Sequence, residues 1–146
     1  MTRPAVAPQT KRSPVGGRVE SGAMVRLRWL VIDLVLVVVF AAVGRASHGE
    51  SVVGTALTAW PFLVACLVAW VILVLLGDDG LSWPAGLIVW LVTLIGGMAL
   101  RVAAGDTAAV AFLIVASIFT GVTLLGWRIV ARKVASARSA RAAAAR

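Results

Sequence analysis

Four apolar stretches, Leu30–Val43, Val52–Leu76, Pro84–Leu100 and Ala108–Trp127, stand in a row between two basic tails. An α-helix needs about 20 apolar residues to cross a hydrocarbon layer near 30 Å thick. The last three stretches come close to that length, and the first attains it when extended from Arg28 to Ser47. Composition closes the alternative: 61% hydrophobic residues against 14% charged leave a 146-residue chain no way to hide its apolar surface from water. The predicted fold is therefore all-α, an integral membrane four-helix bundle.

Charge sets the expected orientation. Of 14 Lys and Arg residues, six lie at or before Arg28 and six at or after Arg128, so the positive-inside rule puts both termini in the cytoplasm after an even number of crossings. Trp29, Trp83 and Trp127 fall where that same interface is expected, as amphipathic rings do in aromatic belts. Three segments follow. A basic arm, residues 1–24, carries Pro4, Pro8 and Pro14 with few apolar side chains, which predicts disorder. A transmembrane domain covers 25–130, and a basic Ala/Arg-rich tail, 131–146, lacks helix breakers and is expected to prolong the fourth helix. The net charge of +8 tracks the membrane flanks rather than nucleic acid, and the tails are expected to meet anionic lipids of the bilayer. A signal peptide ending near Ala42-Val43-Gly44 is the rival reading of the first stretch; Asp33 inside its apolar core speaks against it.

Local signals place the turns. Arg45, Gly49 and Glu50 recur as Arg101, Gly105 and Asp106 with an offset of 56 residues. Each set reads as a cation in a last helical turn, a glycine cap, and an acid that with Ser51 or Thr107 caps the next helix. The other reading is a pair of arginines converging on an anion outside the membrane. Gly77-Asp78-Asp79-Gly80 with Ser82 and Pro84 predicts a glycine cap, a solvated tight turn and a new helix start. The second span is either one helix from Val52 bent at Pro61 or a helix that begins at Trp60.

No Ser or Cys has an identifiable base and orienting partner, so the expected protein has no enzymatic activity. The sequence offers no cofactor motif and no metal-ligand set, His48 and Cys66 being the sole residues of their types. The polar residues embedded in or flanking the spans are the candidates: Asp33, Arg45, His48, Arg101 and Arg128. Asp33 stands one turn past Trp29, about 6 Å deeper, and an ionisable group in a span is costly enough to demand a partner or a polar path. The structural reading has it reach the interface or pair with Arg128 or Arg132 at the end of the fourth helix; the functional one makes it a proton relay. Asp33, Val37, Phe40, Gly44 and Ser47 share a face whose ends are about 20 Å apart, too far for direct proton transfer to the Ser47-His48 pair. His48 reads as a solvated loop residue or as a sensor of pH.

Gly86, Thr93 and Gly97 line one face of the third span, and Ser117 with Gly121 makes a small-xxx-small step in the fourth. Such faces let helices approach closely, either within the bundle or between two protomers of a homodimer through Gly86, Gly97, Ser117 and Gly121. Asp33, Phe40, Gly44-Arg45 with Ser47-His48, Pro61-Phe62, Val89-Trp90, Gly97-Met98, Arg101, Ala111-Phe112 and Gly126-Trp127-Arg128 form a wider pattern. It resembles the DUF3054 family, small four-span membrane proteins of unknown function found chiefly in high-GC Gram-positive bacteria. The resemblance covers most of Asp33 to Arg128, implies a multi-pass protein of the bacterial plasma membrane, and brings no activity with it. The expected role is that of a structural or interaction component. The alternative is a small transporter or channel for protons, anions or small solutes, built on Asp33 and the Arg45/Arg101 outer cluster.

Overall fold

The computed structural model describes residues 15–46, 52–107 and 109–145. Four helices follow one another, α1 (Val15–Ala46), α2 (Val52–Leu75), α3 (Trp83–Ala103) and α4 (Val110–Ala144), and no strand occurs among the described residues. Each helix is long and apolar enough to cross a membrane, and the chain is a multi-pass membrane protein as its sequence predicts. The helices pack in chain order round a ring, α1 on α2, α2 on α3, α3 on α4 and α4 back on α1, the α2–α3 pair being the most extensive. Arg26 Nη2 donates to the Gly77 carbonyl at 3.4 Å and Arg128 Nε to the Gly80 carbonyl at 2.9 Å. The start of the first span, the α2–α3 turn and the membrane exit of α4 therefore share one end, the basic end; the other two connections share the opposite end.

Three features of the elements concern Pro61 and the two tails. The second span is a single helix through Pro61. The α4 helix runs on to Ala144 through the basic tail, as a stretch of good helix formers should. The α1 helix starts at Val15 and so covers the later part of the arm expected to lack order; Pro14 is the last proline before the span, and nothing after it forbids a helix. Residues 1–14 lie outside the described residues, as do 47–51, which include His48, Glu50 and Ser51.

The turns are built from backbone capping. At the end of α2 the Asp78 N–H donates to the Leu73 carbonyl at 3.0 Å and the Gly77 N–H to the Val74 carbonyl at 3.1 Å, the paired bonds that close a helix through a left-handed residue. Asp78 accepts from the Gly80 N–H and from the Ser82 hydroxyl, both at 2.8 Å, and Asp79 accepts from the Leu81 N–H at 3.0 Å. Ser82 then caps α3, accepting from the Ala85 N–H at 3.1 Å ahead of Pro84. Both aspartates are thus employed by the turn itself.

The end of α3 repeats the device, with Asp106 N–H to Arg101 carbonyl at 3.1 Å and Gly105 N–H to Val102 carbonyl at 3.0 Å. One expectation fails at this point. The N-cap of α4 is Ala109, with no side-chain cap bond, rather than Asp106 with Thr107. Closing α3 this way folds Asp106 back over the last turn, where its Oδ2 lies 3.6 Å from Arg101 Nε.

The packing reverses the soluble pattern. Val35, Val39, Leu67, Val71, Ile95 and Ile118 are exposed, while Phe40, Phe62, Trp70, Thr93, Thr120, Asp33 and Arg128 are buried. In hydrocarbon an aliphatic surface gains little from being hidden, whereas a polar group needs a partner inside the protein. The small residues serve this packing: a Cβ on Gly97 would run into the Phe62 ring, and one on Gly121 would lie 3.2 Å from Trp90. Trp90 in turn donates its indole N–H to the Ser117 carbonyl at 3.2 Å.

Candidate functional site

Asp33, Val37 and Phe40 occupy the inward face of α1, the spacing that aligns side chains on one side of a helix. Asp33 is wholly buried, and Arg128 on α4, at 1% exposure, heads the large side chains enclosed among the described residues. The two form a fork: Arg128 Nη1 donates to Asp33 Oδ1 at 2.9 Å and Nη2 to Oδ2 at 2.7 Å, the bidentate geometry that a planar guanidinium gives a carboxylate. Two indoles complete the carboxylate's surroundings, Trp70 Nε1 donating to Oδ2 at 2.9 Å and Trp127 Nε1 to Oδ1 at 2.8 Å. On the cationic side, Arg128 Nε donates to the Gly80 carbonyl and Nη1 also to the Leu124 carbonyl at 2.7 Å.

Either ion alone would cost several kcal/mol to bury, and only close pairing with further hydrogen bonds offsets that. Here α1 brings the acid, α4 the base and one indole, α2 the other indole, and the α2–α3 turn a carbonyl. Two glycines make room. Gly86 on α3 faces Arg128, whose Cδ would lie 3.0 Å from an added Cβ. Gly80 sits at φ +88°, and a Cβ there would collide with the Trp70 ring; a residue with a side chain fits neither the angle nor the space. Trp29 stacks on Trp127 with centroids 5.2 Å apart, and the Arg128 guanidinium carbon lies 4.6 Å from the Trp127 ring centre.

Toward the opposite end the interior turns aromatic. Phe40, Phe62, Phe112 and Phe119 meet with centroids between 5.4 and 6.1 Å apart, and Phe40 lies about 10 Å beyond Asp33 along α1. Cys66, one turn from Trp70 and one from Phe62, is fully buried between the two regions. Beyond the rings, Arg45 Nε donates to the Gly54 carbonyl at 2.9 Å. The Arg101 guanidinium lies over Phe112, 4.2 Å from the ring centre. No group of three or more His, Cys, Asp or Glu able to hold a metal occurs among the described residues.

Of the five candidate residues, the structure brings Asp33 and Arg128 together, places Arg45 and Arg101 at the opposite end, and leaves His48 outside the described residues. Sequence reasoning missed Trp70 and the Gly80 carbonyl, and read Trp127 solely as an interface ring. A signal for Trp70 was present, since it shares a helical face with Cys66 and Leu73, but the direction of an indole N–H leaves no trace in a sequence.

The family described as a protein of unknown function, DUF3054, matches residues 30–131. The chain belongs to that family. The region shared with DUF3054 opens just before Asp33 and closes just after Arg128, so the ion pair, both indole donors and Gly80 lie inside it and most of each tail outside. No curated protein and no solved structure matches the chain.

Proposed function

We propose that this DUF3054 protein is a structural or interaction component of the plasma membrane, without enzymatic activity, and that both its termini face the cytoplasm. The reading rests chiefly on the saturation of Asp33: four N–H groups converge on its two oxygens, and the residue is 0% exposed. A proton relay needs a carboxylate in exchange with water or with a second titratable group. A carboxylate gripped by a guanidinium and two indoles instead fixes helix positions, and the phenylalanine rings fill the space through which a polar path would run. The proposed orientation rests on the basic residues gathered at the end that carries Arg26, Arg28, Arg132 and Lys133.

In liposomes, the wild type and Asp33→Asn are expected to leak protons and chloride no faster than empty vesicles; flux that depends on Asp33 would overturn the reading. Reporter fusions at the two termini are expected to report the cytoplasm from both, and opposite answers would overturn the orientation. The transport alternative retains one favourable observation, the buried Arg101 Nε without a hydrogen-bond partner. Arg101→Ala in the flux assay examines it directly.

A further inference from the structure

We infer that the basic end of α4 carries a binding site for the headgroup of an anionic glycerophospholipid. The site is an open, shallow groove of about 410 Å³ that Ile129, Arg132, Lys133 and Ser136 line among the described residues. These residues follow the i, i+3, i+4, i+7 spacing and so form one stripe along the helix. From Val110 to Trp127 the helix rises about 26 Å, close to the thickness of the hydrocarbon layer, so the stripe begins where α4 meets the headgroups.

Three observations give the groove its occupant. First, its polarity is graded along the helix axis in the order a phospholipid presents. Ile129 stands nearest the membrane for the glycerol and acyl carbons, Arg132 and Lys133 follow at phosphate level, and Ser136 lies about 10 Å beyond Ile129 among the headgroup hydroxyls. Ser136 already donates to the Arg132 carbonyl at 3.0 Å, which leaves its oxygen to accept from a headgroup hydroxyl. Second, the charge is available. Arg128 is consumed by Asp33 inside the protein, and Asp78 and Asp79 are engaged within the turn. Arg132 and Lys133, both exposed, pair with no carboxylate among the described residues. Third, the Trp29 and Trp127 rings, centroids 5.2 Å apart with the Trp127 N–H turned inward to Asp33, close the bundle interior just before the groove, so the groove faces outward. Two adjacent cations at phosphate level complement a phosphate monoanion, which neutral phosphatidylcholine, carrying its own ammonium, presents less strongly.

The test uses the full chain in mild detergent, titrated with phosphatidylglycerol, phosphatidylcholine or inorganic phosphate, and reads bound lipid by native mass spectrometry alongside the melting temperature. Phosphatidylglycerol is expected to bind and to raise the melting temperature, and the other two to do neither. Arg132→Ala combined with Lys133→Ala should weaken phosphatidylglycerol binding about 30-fold, given the contribution of each cation at a membrane surface, while melting like the wild type without lipid. Arg138→Ala with Arg141→Ala, placed at least about 7.5 Å farther along the helix, near one screening length, should change it by about twofold or less. Equal losses in the two double variants, equal binding of phosphatidylcholine, or stabilisation by inorganic phosphate alone would each overturn the site.

Discussion

The Asp33 carboxylate and the Arg128 guanidinium meet edge to edge, Oδ1 to Nη1 at 2.9 Å and Oδ2 to Nη2 at 2.7 Å, with neither reaching the surface. That contact closes the ring of helices by tying the first to the last, and two of its four donors come from indoles on α2 and α4. The energetics of such a pair are asymmetric. Removing both charges can leave stability little changed, whereas removing one strands the other.

Asp33→Ala and Arg128→Ala are accordingly each expected to destabilise the protein by about 3–5 kcal/mol. The double variant Asp33→Leu with Arg128→Met should recover much of that loss. Unfolding in mixed micelles measures all of them, and single variants as stable as the wild type would show that the pair contributes nothing to stability.

Trp70→Phe deletes one donor to Asp33 together with the distal indole carbons that lie against Gly80. Losing a hydrogen bond to a charged group should cost about 1.5–3 kcal/mol. Gly80→Ala, which must adopt a positive φ against that same ring, should be at least as damaging. A Gly80→Ala protein that melts like the wild type would contradict the described turn.

Gly97→Ala tests the close approach of α2 and α3, because the added methyl meets Phe62. Overpacking of this kind costs about 1–3 kcal/mol. Gly126→Ala, at a position with nothing within 4 Å of the new carbon, should be neutral or stabilise by up to about 1 kcal/mol through helix propensity. The contrast between the two is the measurement; equal effects would mean that Gly97 is not in contact.

Cys66, buried between Trp70 and Phe62, should resist maleimide in the folded protein and react once the chain is unfolded in SDS. Thiols shut away from solvent are inert. Rapid labelling of the native protein from either side would reveal water reaching the interior and would favour a transport path.

Asp106→Asn should change stability by less than about 1 kcal/mol, since the acid is half exposed and its contact with Arg101 is long. Chemical unfolding of this variant beside Asp33→Ala compares the two acids directly.

The spans were legible because each is a long apolar run with few charges, and the α2–α3 turn because Gly77, Asp78, Ser82 and Pro84 each have a strong local preference. Asp33 stood out for the same reason: a carboxylate in hydrocarbon demands an explanation. The choice between Arg128 and Arg132 as its partner depended on the rotation and tilt of α4, which lipid-facing and inward aliphatic residues leave nearly undetermined. The Trp70 indole and the Gly80 carbonyl were harder still, because they matter through direction rather than residue type. Asp106 does not cap α4 because two local uses compete for it, and the arginine on its own side prevails.

The ion pair joins residues 95 positions apart, and that separation bears on how the chain is made. The ribosome delivers Asp33 long before Arg128 exists, so the nascent first helix must enter the bilayer bearing a charge whose counterpart has yet to be translated. The native arrangement can lock only once Arg128 has left the ribosome. A message truncated ahead of α4 would therefore yield three insertable helices and a stranded acid, a product marked for quality control by the same carboxylate that secures the finished protein.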